Sequence, residues 1–254
     1  MKKRKAGIVI FVIVLIITAV RIKSMDSHRI SGRILAENIA GPGMLRLVEQ
    51  SMQARARKTS VTEIAVKERK HPQAALTFDD GPDIRYTPLL LDGLKERNVR
   101  VSFFLLGEKV EQYPELVERM QKEGHLVGNH TYHHVQLNKL NETKAREEIL
   151  KTNNLIYETT GVYPLYLRPP FGAWKKNLEL CVEMFPVFWT IDTLDWKVQN
   201  TEKIVRTVQE QIEDGAIILM HDEYDTSVEA ALQVVDELKN QGYELVTVDQ
   251  LILP

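Results

Sequence analysis

From residue 73 onward, short apolar segments of strand length alternate with longer segments of helical periodicity. The strand candidates are residues 74–78, 99–106, 125–128, 165–168, 187–191, 216–220 and 243–248, and the helix candidates are residues 87–97, 114–123, 142–159, 175–184, 201–214 and 227–240. This alternation is typical of βα units in an α/β protein with a mostly parallel sheet. About seven strands suit a (β/α) barrel, complete or incomplete, although periodicity alone does not separate a barrel from an open sheet.

The N-terminus has the pattern of a secretory signal. A basic cluster at residues 2–5 precedes an uncharged apolar run over residues 6–20, which Arg21 and Lys23 end. The run is shorter than the ~20 residues of a full span, but flanking basic side chains can lengthen it. Because no clean small-x-small cleavage site follows, residues 1–23 are predicted to be an uncleaved signal anchor that places the rest outside the cytoplasm. Secretion after signal cleavage is the alternative.

The remaining composition divides the chain into a stalk and one domain. Residues 24–70 are rich in Arg, Lys, Ser, Glu and Gln and predict a stalk or linker, whereas residues 71–254 predict a single catalytic domain. The net charge of −2 and the lack of a dominant basic stripe argue against a nucleic-acid partner. Cys181 is the only cysteine and lies in an apolar stretch, which predicts a buried structural thiol.

Acids, histidines and an arginine follow five of the strand candidates. These polar clusters are Asp79-Asp80, Asn129-His130 with His133 and His134, Arg168, Asp192 with Asp195-Trp196, and His221-Asp222. The opposite loops carry ordinary turn residues such as Asn98 and Gly124. Because chemistry in α/β folds lies at the carboxyl ends of the strands, these clusters predict one shared site.

Two histidines and one carboxylate in this set suit a hydrolytic metal. His130 and His134 are four residues apart, so on one helical turn they face the same way. With Asp80 they form a common zinc arrangement that leaves a coordination position open. The competing interpretation is that the histidines cap a strand and face solvent, and His133, which lies off the shared face, fits that interpretation well.

Metal-assisted amide hydrolysis also needs a base and an acid. Asp79 and Asp80 point to opposite sides of a regular strand, but Gly81-Pro82 ends the strand and lets both approach the site. Asp79 is then the candidate base and His221 the candidate acid. Arg168 could orient the base, but it could also form an ordinary surface ion pair. Asp195 could hold the imidazole of the acid and raise its pKa, but it could also be a turn residue or a helix cap.

The ordered set of motifs resembles the polysaccharide deacetylase family, also called the NodB homology domain or carbohydrate esterase family 4. The resemblance covers roughly residues 72–252, and its motifs are Thr77-Phe78-Asp79-Asp80-Gly81-Pro82, His130-Thr131-Tyr132-His133-His134, Arg168-Pro169-Pro170-Phe171-Gly172, Asp195-Trp196 and Leu219-Met220-His221. Any one motif alone is weak, whereas five in order are specific. No catalytic position departs from the pattern, which argues against an inactive member.

The resemblance implies a distorted (β/α) barrel and a divalent metal ion, zinc first, with cobalt, nickel or manganese as alternatives. It implies that Asp80, His130 and His134 hold the metal. It also implies that Asp79 is the general base and that His221 is the general acid.

The same resemblance assigns supporting roles at three further motifs. It implies that Asp195 tunes the acid and that Arg168 positions the base. The backbone N–H of Phe171 is expected to stabilise the oxyanion. Trp196 and Leu219 are expected to form the apolar pocket for the acetyl methyl group.

The expected substrate is N-acetylglucosamine in a cell-wall or extracellular glycan, peptidoglycan first, and the protein is expected to be a monomer. Chito-oligosaccharide, poly-N-acetylglucosamine, acetylated xylan and N-acetylmuramic acid are alternative substrates. Two rival functions remain open at this point. One is a non-haem iron oxygenase, which also uses two histidines and a carboxylate. The other is a non-catalytic glycan-binding module, which predicts that Asp79→Asn leaves its function intact.

Overall fold

The computed structural model describes residues 70–174 and 184–252. The predicted anchor over residues 1–23, the predicted stalk up to residue 69, Cys181 and nearly all of the predicted helix 175–184 lie outside the described residues. Among the described residues, no helix combines the length and the apolar character needed to span a bilayer.

Within residues 70–174 and 184–252, eight strands form a single sheet in which every pairing is parallel. The strands are β1 (Gln73–Asp79), β2 (Ser102–Leu105), β3 (Leu126–Asn129), β4 (Tyr166–Leu167), β5 (Phe185–Pro186), β6 (Ile191–Asp192), β7 (Ala216–His221) and β8 (Glu244–Leu245). Seven of them follow the order β5-β4-β3-β2-β1-β7-β6, and β8 pairs with the first residues of β1. The prediction of about seven parallel strands is confirmed.

The two edges of this sheet are joined by a very short segment. Strand β5 is one edge and β6 is the other, yet only residues 187–190 separate them along the chain. Those residues span at most ~18 Å, so the sheet curls until its edges approach each other. Val187 N–H donates to Leu167 O at one edge, and Thr190 N–H donates to Ile217 O at the other. The result is a curled half-barrel rather than an open, doubly wound sheet.

Eight α-helices lie in the described part of the chain. They are α1 (Tyr86–Glu96), α2 (Gly107–Gln112), α3 (Pro114–Lys122), α4 (Glu142–Thr160), α5 (Asp195–Val198), α6 (Thr201–Gln211), α7 (Asp225–Asn240) and α8 (Val248–Ile252), with 3-10 turns at Leu137–Lys139 and Pro170–Gly172. Local chemistry sets their ends, as in α4: the Asn141 side chain accepts from Lys144 N–H, and Gly161 terminates the helix with a φ of 72°.

The alternation of side chains along β1 separates an outer core from an inner one. Ala74, Leu76 and Phe78 belong to the large cluster packed against the long helices. Ala75 belongs instead to a smaller cluster that includes residues of α8 and Phe104. Since successive strand residues face opposite sides, the positions that follow Ala75 on the inner face carry polar side chains toward the carboxyl end of the sheet.

Two segments differ from their predicted structure. The predicted strand 187–191 is wrong as one continuous strand, because this segment pairs with different neighbours at its two ends. The predicted strand 243–248 is reduced to Glu244–Leu245, because Val248 already begins α8. The five predicted helices that lie in the described residues are present, with ends within a few residues of those predicted.

Candidate active site

Asp79 is the last residue of β1, and a buried arginine holds it. Arg168 Nη1 donates to Asp79 Oδ1 at 2.7 Å. Arg168, which follows β4, is fully buried, so this is an interior ion pair rather than the surface pair that the sequence left open. Burial lowers the pKa of the guanidinium, and the charge of Asp79 opposes that shift. The strand register also places Asp79 beside His221 of β7.

Asp80 leaves the strand in a different direction from Asp79. Its φ is 70°, a left-handed conformation that is uncommon for a residue with a side chain. Gly81 follows, and a Cβ there would lie 2.4 Å from Asp222 Oδ1, so a side chain does not fit. The predicted end of the strand is therefore confirmed, and both acids reach the same site.

His130 and His134 meet Asp80, but not on a helical turn. The segment after β3 is irregular, with a φ of 66° at Thr131 and 54° at His134. The helical-turn argument for their spacing is therefore wrong, because left-handed residues bend the loop back instead. Nε2 of His130 and of His134 lie 3.3 and 3.4 Å from Asp80 Oδ1, and the rings are tilted with centroids 5.1 Å apart.

The tautomer of His130 follows from its other ring nitrogen. His130 Nδ1 lies 2.6 Å from Arg168 O, and since a carbonyl only accepts, Nδ1 carries the proton. In the neutral ring, Nε2 then presents a lone pair toward Asp80. A backbone partner of this kind is the usual outer support of a metal-ligating histidine.

The donor set fits a cation. Candidate ligand atoms of Asp80, His130 and His134 all lie within 4.8 Å of one another. Asp80 Oδ1 is buried and receives no hydrogen bond among the described residues. Burial by itself raises the pKa of Asp80, yet the electrostatic influence of His130 first, then of His134 and His221, holds that pKa well below its usual range. An ionised oxygen and an imidazole lone pair facing each other at 3.3 Å need a cation between them.

His221 and Asp195 form a second pair on the other side of Asp80. His221 Nδ1 and backbone N–H each lie 2.8 Å from an Asp195 oxygen, so both carboxylate oxygens are used. Nε2 is left facing the site, 3.9 Å from Asp80 Oδ2. Burial lowers the pKa of His221, but Asp195 first, then Asp79 and Asp80, outweigh it and raise that pKa to about 9. Asp195 is fully buried and begins α5.

The three remaining predicted residues have different degrees of exposure. The Phe171 ring is exposed and lies against His134, with centroids 4.5 Å apart. Its φ is 58°, an outlier for a bulky residue of the kind found at functional sites, and the neighbouring turn hydrogen bonds do not use its N–H. Trp196 is half-exposed after Asp195, and Leu219 is buried on β7. Their pocket for an acetyl group stays a prediction.

The sequence assigned no role to Asp222, although it marked the strand end that carries it. Asp222 is fully buried, and Thr87 Oγ1 donates to one of its oxygens. Burial raises its pKa to about 7, which the Thr87 hydrogen bond opposes. Its contact with Gly81 places it beneath the loop that carries Asp80. Adjacency to His221 was the only signal in the sequence.

His133 is separate from the site. Its Nδ1 lies 2.8 Å from Glu148 Oε1, and its side chain is 59% exposed. The prediction that it faces solvent is confirmed.

Comparison with known proteins agrees with this geometry. The family model described as polysaccharide deacetylase matches residues 66–186. The peptidoglycan-N-acetylglucosamine deacetylase PgdA of Listeria monocytogenes is 42% identical over 73% of this chain, which spans only 40% of the relative's length. A peptidoglycan-N-acetylglucosamine deacetylase of Bacillus cereus is 40% identical over 70% of this chain and 68% of its own.

A solved structure extends the similarity to the fold. The peptidoglycan deacetylase PdaC of Bacillus subtilis superposes with a TM-score of 0.70 at 42% identity, covering 72% of this chain and 91% of that one. The curated name of PdaC is peptidoglycan-N-acetylmuramic acid deacetylase. By its sequence and its curled parallel sheet, this chain belongs to the polysaccharide deacetylase family.

Proposed function

We propose that this protein is a metal-dependent hydrolase that removes the acetyl group from N-acetylglucosamine units of peptidoglycan and releases acetate. The observation that carries the proposal is the triad of Asp80, His130 and His134, which fits a cation and has an acid-base pair beside it. The names of the relatives supply the substrate class. An oxygenase has no use for the paired Asp79 or for the His221–Asp195 pair, so the site favours hydrolysis.

Asp80, His130 and His134 would hold the ion, with zinc as the first choice. Zinc ligands at 2.0–2.2 Å from the metal lie roughly 3.3–3.6 Å apart in a tetrahedron. The two distances from Asp80 Oδ1 to the histidine nitrogens, 3.3 and 3.4 Å, agree with that spacing. When bound, such an ion supplies a Lewis acid that makes water more acidic and polarises a carbonyl. Cobalt, nickel and manganese are alternatives.

The protein's own groups divide the proton transfers between two sides of the triad. Asp79, held by Arg168, takes a proton from the attacking water, and Asp79 Oδ2 is the oxygen nearer the triad, 3.8 Å from His130 Nε2. His221, protonated and held by Asp195, gives its Nε2 proton to the leaving amine nitrogen. The C–N bond then breaks to leave acetate and a free amino sugar.

The oxyanion that forms during attack needs a fixed donor. The backbone N–H of Phe171 is proposed for this role, because its left-handed conformation leaves the N–H outside the turn's own hydrogen bonds. Trp196 and Leu219 are proposed to enclose the acetyl methyl group.

Replacing Asp195 by Asn should shift the alkaline limb of the pH–rate profile to lower pH. A general acid works while protonated, so turnover falls as pH rises through the pKa of His221. Burial lowers that pKa, and Asp195 makes the largest contribution to raising it to about 9, so loss of the Asp195 charge should lower the pKa of His221. The variant should therefore lose more activity at pH 8 than at pH 6, as kcat measured across pH checks. Asp192→Asn is the control, since Asp192 Oδ1 accepts from Leu194 N–H, which an Asn oxygen can also do, and its profile should match wild type. If the alkaline limb of the Asp195→Asn profile is not shifted, Asp195 does not tune the pKa of the general acid.

Acetate release from peptidoglycan and from chito-oligosaccharides, measured in parallel, tests the substrate. We expect release from peptidoglycan with new free amines on glucosamine. Negligible release from both substrates would contradict the proposal.

Deacetylation of N-acetylmuramic acid in peptidoglycan is a second candidate function. It is favoured by PdaC, a relative 43% identical that is named a peptidoglycan-N-acetylmuramic acid deacetylase. Analysis of muropeptides after digestion separates the two, since the free amine then appears on muramic acid.

We also propose that residues 1–23 anchor a monomeric enzyme outside the cytoplasm, with residues 24–70 as a stalk. The basic cluster and apolar run support this proposal. Membrane fractionation and N-terminal sequencing of the mature protein test it. An intact N-terminus in the membrane fraction is expected, whereas a new N-terminus in the medium indicates the cleaved, secreted alternative.

A further inference from the structure

We infer that Thr77 is a positioning residue of the reaction, because its buried hydroxyl fixes the guanidinium that holds the base. The inference rests on the proposed function. Thr77 lies two residues before Asp79 on β1, so both side chains face the inner side of the sheet. It is fully buried and opposes Leu219 of β7 in the register. Sequence alone gave it no role beyond membership of the first motif.

The direction of each hydrogen bond at Thr77 is determined by its partners. Thr77 Oγ1 lies 2.6 Å from Ile218 O, and a carbonyl only accepts, so the hydroxyl donates there. Arg168 Nη1 lies 2.7 Å from the same oxygen, and a guanidinium only donates, so the hydroxyl accepts from it. The hydroxyl thus joins the backbone of β7 to the arginine and has no rotational freedom left.

The guanidinium depends on this contact because it has few others. Nη1 donates to both Thr77 and Asp79, at 2.7 Å each, whereas Nε and Nη2 are buried without a hydrogen-bond partner among the described residues. The rings of Phe104 and Trp189 lie 4.3 and 5.8 Å from the guanidinium carbon and allow rotation in the ring plane. Thr77 is therefore the contact, other than the base itself, that sets which edge of Arg168 faces Asp79.

Thr77 acts on the side chain of Arg168 and not on its backbone. Arg168 N–H donates to Asn129 O, and Arg168 O accepts from His130 Nδ1, both independently of Thr77. Loss of the hydroxyl should consequently leave the Asp79 carboxylate less firmly held, while the metal triad stays in place. This separation of effects distinguishes a positioning role from a general weakening of the fold.

The test compares Thr77→Val, which keeps the shape but removes the hydroxyl, with Thr77→Ser, which keeps the hydroxyl. We expect Thr77→Val to lower kcat by about 10- to 100-fold, as for loss of a hydrogen bond to a charged group, with KM and zinc content unchanged. Thr77→Ser should restore most of the rate. Thr193→Val is the matched control, because the buried Thr193 Oγ1 likewise donates to a carbonyl of β7, that of Leu219, and has no hydrogen bond to an arginine within the described residues. Its kcat should stay at the wild-type value.

A double-mutant cycle with Arg168→Met gives a readout that does not require activity. If Thr77 acts through Arg168, adding Thr77→Val to Arg168→Met should cost less unfolding free energy than Thr77→Val alone, and should not lower kcat further. Wild-type kcat in Thr77→Val, or failure of Thr77→Ser to restore it, overturns the inference and leaves the proposed function standing. If wild type releases no acetate at all, the proposed function fails, and additive unfolding energies would then overturn the Thr77–Arg168 coupling separately.

Discussion

Asp79→Asn should abolish nearly all acetate release while the protein keeps its metal. An amide cannot accept the proton of the attacking water, and general base catalysis is worth about 10²–10⁴ in rate. The side-chain carbonyl oxygen of this variant can still accept a hydrogen bond from Arg168, so the interior contact survives in part. We therefore expect kcat to fall by about 10²–10⁴ with zinc content near wild type, measured by acetate assay and metal analysis.

Asp83→Asn is the matched control for this prediction. Asp83 belongs to the same loop, and its Oδ1 accepts from Arg85 N–H and Tyr86 N–H, which an Asn side chain can also do. Its turnover should remain close to wild type. If Asp79→Asn keeps wild-type turnover, the assignment of Asp79 as the general base is wrong.

His130→Gln should release the metal and with it the activity. Asp80 Oδ1 would lose one of the two imidazole nitrogens near it, and the hydrogen bond from Nδ1 to Arg168 O would be lost as well. Changes to the outer support of a metal ligand alone typically cost 10–100-fold in affinity, so loss of a ligand should cost more than about 100-fold. Competition with a chromogenic zinc chelator measures this affinity without any substrate.

His133→Gln offers a matched control only three residues away. His133 bonds to Glu148 and is mostly exposed, so its replacement should leave zinc affinity and kcat unchanged. Equal loss of zinc in both variants would indicate a general disturbance of the loop. Retention of zinc by His130→Gln would remove this histidine from the ligand set.

The sequence predicted the architecture well where periodicity is long and strong. Helix α4, with nineteen residues and a capping asparagine, was predicted nearly to its ends. The curl of the sheet was not predictable in this way, because it depends on residues 187–190 reaching both edge strands, a long-range fact that local patterns do not encode. Strands of two residues, such as Tyr166–Leu167, are likewise defined by their neighbours more than by their own composition.

The residue types of the site were predictable, but their geometry was not. Parallel strands end at one edge, so the clusters containing Asp79 and His221 were expected to meet, and they do. The approach of His130 to His134 instead depends on left-handed residues in an irregular loop, and no helical spacing rule describes it. The positioning role of Thr77 was not predictable, because a threonine in a strand is ordinary and the role depends on its hydrogen bond with a buried arginine.

Acetate release from peptidoglycan by the full chain, before and after metal removal, tests the central claim most directly. We expect release by the zinc-loaded protein, loss of at least about 100-fold after chelation, and recovery when zinc is added back. In the proposed function, Asp80, His130 and His134 hold that ion, and Asp79 and His221 transfer protons beside it. Release that is unaffected by complete removal of metal, or no release from any acetylated glycan by the zinc-loaded protein, would contradict the proposed metal-dependent deacetylation.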